Sequence, residues 1–127
     1  MADGTKLPPL IIFRLKNVPR VNFPSNVFVR ANPSGWMNEM EMVWWIENIW
    51  TMRSPFSKPQ SLLVMDSFSA HITDSAKQHL IEQKTNMAII PGGLTARLQP
   101  LDVAINRLFK AKVRFISVNG FCIELIY

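Results

Sequence analysis

A chain of 127 residues has room for one domain, and its 48% hydrophobic content, with eight Phe and four Trp, supports a packed core and excludes a wholly disordered tail. Lys and Arg outnumber Asp and Glu by 14 to 9, a net +5 with pI near 9.8, which suits a polyanionic partner without demanding one. The single Cys122 excludes an internal disulfide and a cysteine-based zinc site, no run nears the ~18 apolar residues of a membrane span, and the first six residues lack the apolar run of a signal peptide.

In chain order, Asp3-Gly4 is a hairpin-type turn dipeptide, and Leu7 to Arg14 is a strand candidate. Pro8 and Pro9 force that strand to start late or to lie at an edge. Residues 15 to 25 read as loop, punctuated by Pro19 and Pro24, and Val27 to Val29 as a brief strand. Up to Arg30 there are five basic residues against one acid, Asp3. A solvated surface and a phosphate-contacting one both fit that charge.

Asn32-Pro33-Ser34-Gly35 predicts a turn, followed by a helix from about Trp36. Asn38 suits the N-cap, with Glu41 at the capping-box position and Met37 and Met42 placed for a hydrophobic staple. Met42, Trp45, Ile46 and Ile49 share one face; Val43, Trp44 and Trp50 widen it, so that the helix wants covering on more than one side. The aromatic content reads first as core. The Trp44/Trp45 surface is the alternative candidate for a protein partner.

Pro55 and Pro59 bracket a loop before Ser61-Leu62-Leu63-Val64-Met65-Asp66, where a continuous apolar run ends in an acid. Such a run predicts a strand buried on both faces, with Asp66 at its carboxyl end, where open α/β sheets place their ligand chemistry. The alternative role for Asp66 is to cap the following loop. Thr73 to Gln83 predicts a helix capped by Thr73, with Ile72, Ala76 and Leu80 on one face, and Met87 to Ile90 a second strand ended by Pro91-Gly92-Gly93. Two strands joined by a helix make a parallel, right-handed βαβ unit. Gly92-Gly93 reads as turn chemistry, since no Gly-Lys-Ser/Thr follows to complete a P-loop.

A last long helix is predicted from Pro100, which puts Asp102 in its first turn, where capping alone accounts for a carboxylate. Leu101, Ile105, Leu108 and Phe109 supply its buried face, and Arg107, Lys110, Lys112 and Arg114 its basic one. A basic face beside an acidic pocket is what metal-dependent processing of DNA requires.

Three phrases in order, Leu62 to His71, Ile89-Ile90-Pro91-Gly92-Gly93-Leu94-Thr95, and Leu98-Gln99-Pro100-Leu101-Asp102-Val103 with Asn106 and Phe109, resemble the DDE endonuclease domain. The likeness is to the pogo/Tigger branch of the mariner-like transposases and genes derived from them; it also covers Gly35-Trp36-Met37 and runs from Ala2 to about Arg114. The resemblance implies an α/β, RNase H-like fold with a mixed sheet flanked by helices, and three acids holding two Mg²⁺ (or Mn²⁺) ions that cut and rejoin DNA. Asp66 matches the second acid and Asp102 the third, with the family's usual separation of 35 residues between them. His71 matches a histidine that either supports the site or is structural.

Arg97, Arg107, Lys110, Lys112 and Arg114 are the candidate DNA contacts. The same resemblance implies a nuclear protein with DNA as partner, no membrane and no small-molecule substrate. The family's first acid and first strands have no match in this chain, and residues 115–127 read as an unrelated apolar tail after a partial domain at 1–114. The expectation is a catalytically impaired part of a transposase-derived endonuclease; the alternative is a domesticated, non-catalytic DNA-binding or protein-interaction module.

Overall fold

The computed structural model describes residues 4–54, 56–57, 59–93 and, as backbone only, 123–126. The chain divides into two compact units, residues 1–37 with 108–127, and residues 38–107.

In the first unit, β1 (Leu10–Arg14) pairs in parallel with β2 (Phe28–Asn32), Leu10 opposite Phe28 and Arg14 opposite Asn32. On its other side β1 pairs antiparallel with β5 (Ile123–Ile126), giving the order β2-β1-β5. The late start of β1 after Pro8 and Pro9 is as expected: the Pro9 carbonyl accepts from the amide of Phe28 at 2.9 Å, a use proline still permits. Leu10 and Ile12 alternate inward and are buried. Parallel pairing requires a crossover of a dozen or so residues, and residues 15–27 supply it as loop. Phe23 from that loop lies 5.9 Å, centroid to centroid, from Phe13 of β1.

The second unit begins with α1 (Glu39–Asn48), whose cap is the one predicted: Asn38 Oδ1 accepts from the Glu41 amide at 2.9 Å. Met42, Trp45, Ile46 and Ile49 are buried, each such side chain contributing about 1.5–3 kcal/mol when removed from water. A 3₁₀ turn, Trp50–Arg53, extends the helix, and Trp50 stacks on Trp45 at 5.8 Å while its Nε1 donates to Thr85 Oγ1 at 2.9 Å. The Trp44/Trp45 surface is thereby divided. Trp45, at 2% exposure, is core and offers nothing to a partner, because it fills the space between α1 and the turn that follows; Trp44 is half-buried.

The strand β3 (Ser61–Asp66), the helix α2 (Asp74–Glu82) and the strand β4 (Thr85–Ile90) form the expected parallel βαβ unit, with Asp66 opposite Ile90. Thr73 Oγ1 caps α2 by accepting from the Ala76 amide at 3.2 Å, and α2 packs Ala76 and Leu80 inward. Burial of β3 on both faces is overturned. Leu62 is 61% and Val64 48% exposed, while Met65 is buried: α2 packs against β4, the Trp50 indole bonds Thr85 at its start, and the apolar residues of the other face are left open. A continuous apolar run cannot by itself tell one covered face from two.

Candidate functional site

Asp66 ends β3, and the register places it beside Ile90, the last residue of β4, so both strands deliver their carboxyl ends to one rim. Immediately beyond, the chain makes a side-chain-supported turn: Asp66 Oδ1 accepts from the Phe68 amide at 3.2 Å. A 3₁₀ turn, Ser69–His71, follows, and the His71 amide donates to the Phe68 carbonyl at 2.9 Å. That turn swings the imidazole back, and His71 Nδ1 donates to Asp66 Oδ1 at 2.7 Å. The Phe68 ring meets the imidazole edge-on at 5.4 Å, so the histidine is fixed from two sides.

Both bonds fall on the same carboxylate oxygen. Among the described residues Oδ2 makes none, and the side chain retains 30% exposure against 15% for His71. The Pro91-Gly92-Gly93 turn borders the same rim: a Cβ at Gly92 would stand 3.6 Å from Ser67 Oγ, and Gly93 takes φ +84°, which glycine adopts without penalty. These glycines serve the turn, as expected from the absence of a P-loop.

The donor set at this rim fits one ligand of a hard divalent cation. It is a carboxylate on a rigid strand end, with one oxygen held by a nitrogen donor and the other open to a metal that keeps several waters of its own. Among the described residues no group of three His, Cys, Asp or Glu side chains is gathered closely enough to cage a metal. Asp102 and the candidate DNA contacts Arg97, Arg107, Lys110, Lys112 and Arg114 lie outside the described residues.

The pairing of His71 with Asp66 follows the order of the motif. The meeting of Ser67 with Gly92 was not anticipated from the sequence, although parallel pairing of the two apolar runs contains it. No helix among the described residues is long and apolar enough to cross a membrane.

Comparison with known proteins agrees with the motif order. The profile of the DDE superfamily endonucleases matches residues 1–122. A human protein, "Pogo transposable element with KRAB domain", is 42% identical over 115 residues, and its mouse counterpart 41%. The human "Pogo transposable element with ZNF domain" is 31% identical over 110 residues. The matches cover 90%, 90% and 87% of this chain but only 19%, 19% and 8% of the relatives, so the chain spans about a fifth of the first two and less of the third. No solved structure matches. A profile match over nearly the whole chain, with relatives above 40% identity, places it: the chain belongs to the DDE superfamily endonucleases, in their pogo-type branch.

Proposed function

We propose that this chain is part of an RNase H-like, metal-dependent DNA strand-transfer endonuclease domain, acting in the nucleus, with Asp66 and Asp102 as ligands of Mg²⁺ or Mn²⁺. The observation that carries the reading is the state of Asp66: a carboxylate at the carboxyl end of a parallel strand, oriented through one oxygen and open at the other. Family membership and the pogo relatives support DNA as the substrate and the nucleus as its location.

In this account the carboxylates of Asp66 and Asp102 would hold the cation, and His71 positions Asp66 through its Nδ1–H without touching the reacting atoms. A divalent cation held there would supply charge neutralisation and Lewis acidity for phosphoryl transfer. Arg97, Arg107, Lys110, Lys112 and Arg114 are the proposed DNA contacts, each neutralised phosphate contributing to a salt-dependent affinity. Residues 115–127 lie outside the catalytic machinery, while the family match runs to residue 122 and β5 pairs with β1. With two of the three expected acids, the chain on its own processes DNA poorly.

The test is incubation of the purified chain with supercoiled plasmid and Mg²⁺ or Mn²⁺, alongside calorimetric titration of the metal. The account predicts metal binding lost in Asp66→Asn, with the plasmid left essentially intact. Efficient cleavage abolished by Asp66→Ala would overturn the impairment, and metal binding indifferent to Asp66 would overturn the site.

A second reading, DNA binding without strand chemistry, is favoured by one observation: residues 4–37 carry five basic side chains and no acid. Affinity for DNA that falls with salt and persists in EDTA is its mark.

A further inference from the structure

One turn of the first unit ties down the backbone of an exposed tryptophan. Asn32, at 8% exposure, spends its whole amide on the turn: Oδ1 accepts from the Ser34 amide at 3.0 Å, the Ser34 hydroxyl at 2.8 Å and the Gly35 amide at 2.7 Å. Its Nδ2 donates to the Trp36 carbonyl at 2.9 Å, and the Trp36 amide donates to Ser34 Oγ at 3.1 Å. The backbone on both sides of Trp36 is therefore tied to one buried side chain, yet the residue itself is 53% exposed. These bonds fix the backbone at Trp36, and the side chain it carries stands largely in water.

Its neighbour is a cation. Gly35, at φ +72°, sits so close under β1 that a Cβ there would lie 2.6 Å from the Cβ of Arg14 and 3.0 Å from its Cα. Trp36 is one residue further on, a step of about 3.8 Å between Cα atoms. Arg14 and Lys16 are exposed and, among the described residues, make no ion pair. The amide of Leu15 turns back onto the Phe13 carbonyl at 2.9 Å, so the chain reverses at this point. Residues 4–37 carry five basic side chains and no acid, and on the described strands beside them the acid is Glu124 of β5, opposite Ile12, so the segment itself attracts polyanions.

We propose that Trp36, with Arg14 and Lys16, is a stacking site for an unpaired DNA base, the indole taking the base face and the two cations the flanking phosphates. A tryptophan held in place stacks on any base at little conformational cost, and a basic margin follows the backbone, the arrangement by which single strands are bound without sequence preference. The site shares its partner, DNA, with the reading above, but it needs neither the metal nor Asp66.

The test is fluorescence anisotropy of a labelled oligo-dT with the full chain in EDTA, over a series of salt concentrations, with heparin as a polyanion that cannot stack. Trp36→Ala weakens oligo-dT binding by about 5- to 100-fold and leaves heparin affinity unchanged; Trp36→Phe loses less. Arg14→Ala lowers the log–log salt slope by about 0.7, one single-strand phosphate contact. Oligo-dT also quenches the fluorescence of the wild-type chain more than that of Trp36→Phe, an arm that stands even if Trp36→Ala fails to fold.

Unchanged oligo-dT affinity in Trp36→Ala, equal loss for heparin, equal quenching in Trp36→Phe, or an effect confined to self-association of the protein would each overturn the proposal. Asp66→Asn separates the two accounts, because it abolishes metal binding in the proposed function and leaves oligo-dT affinity intact here.

Discussion

Replacing Arg53 by alanine removes the tie that holds one end of the second unit together. Its guanidinium donates through Nη2 to the Gln83 carbonyl, through Nη1 to the Trp50 carbonyl at 3.1 Å and through Nε to Ser61 Oγ at 3.2 Å. It also lies over the Trp50 ring at 4.8 Å. Three elements thus meet on one side chain: the turn after α1, the first residue of β3 and the end of α2.

Burial alone pulls the guanidinium pKa below its usual value, so desolvation takes back part of what the bonds contribute. Arg53 is partly exposed, and about 1 kcal/mol per bond with about 0.5–1 kcal/mol from the ring gives an expected loss of about 2–4 kcal/mol. Arg53→Lys keeps the charge without the fork and loses about half as much. Urea unfolding followed by tryptophan fluorescence reads both variants, with Arg14→Ala as an exposed control expected within about 0.5 kcal/mol of wild type. Ser61 stands about 16 Å along β3 from Asp66, so metal affinity is retained in Arg53→Lys. A stability for Arg53→Ala within about 0.5 kcal/mol of wild type would refute the reasoning.

Other perturbations separate the roles assigned above. Gly35→Ala, forced into a left-handed conformation and against Arg14, is expected to lose about 2–4 kcal/mol in thermal or chemical unfolding. Asn38→Ala removes the cap of α1 and costs about 1 kcal/mol. Lys84 holds φ +53° at the end of α2, so Lys84→Gly raises the unfolding midpoint, by the equivalent of about 0.5–1 kcal/mol. Leu62→Lys on the open face of β3 changes stability by less than about 0.5 kcal/mol, whereas Met65→Ala on the covered face costs about 2–5 kcal/mol; equal losses would restore the doubly buried strand.

Much of the local structure was legible because short-range chemistry dictates it. Asn38 and Thr73 cap the helices expected of them, Pro8 and Pro9 delay β1, and the acid after Met65 ends β3. His71 was singled out through the family resemblance, as a support of the site or a structural residue, and the 3₁₀ turn Ser69–His71 is what brings it back to Asp66. Whether β3 was covered on one face or two was not legible, because the run from Leu62 to Met65 is apolar throughout and coverage is decided by other elements. Nor were the ties made by Arg53 or Asn32, which depend on backbone carbonyls and amides brought together by the fold. Asn32-Pro33-Ser34-Gly35 announced a turn. That the turn ties the backbone of Trp36 to Asn32 emerged only when both polar atoms of the Asn32 side chain were found to be engaged.

The central claim is that Asp66 and Asp102 share a divalent cation. Titrating the ¹⁵N-labelled chain with substoichiometric Mn²⁺ and mapping paramagnetic broadening tests it most directly, because the effect reports distance from the ion. The account predicts that amides of residues 66–71 and 102–106 broaden together and that Asp66→Asn abolishes both effects. Broadening at only one of the two segments, or at residues remote from both, would contradict it.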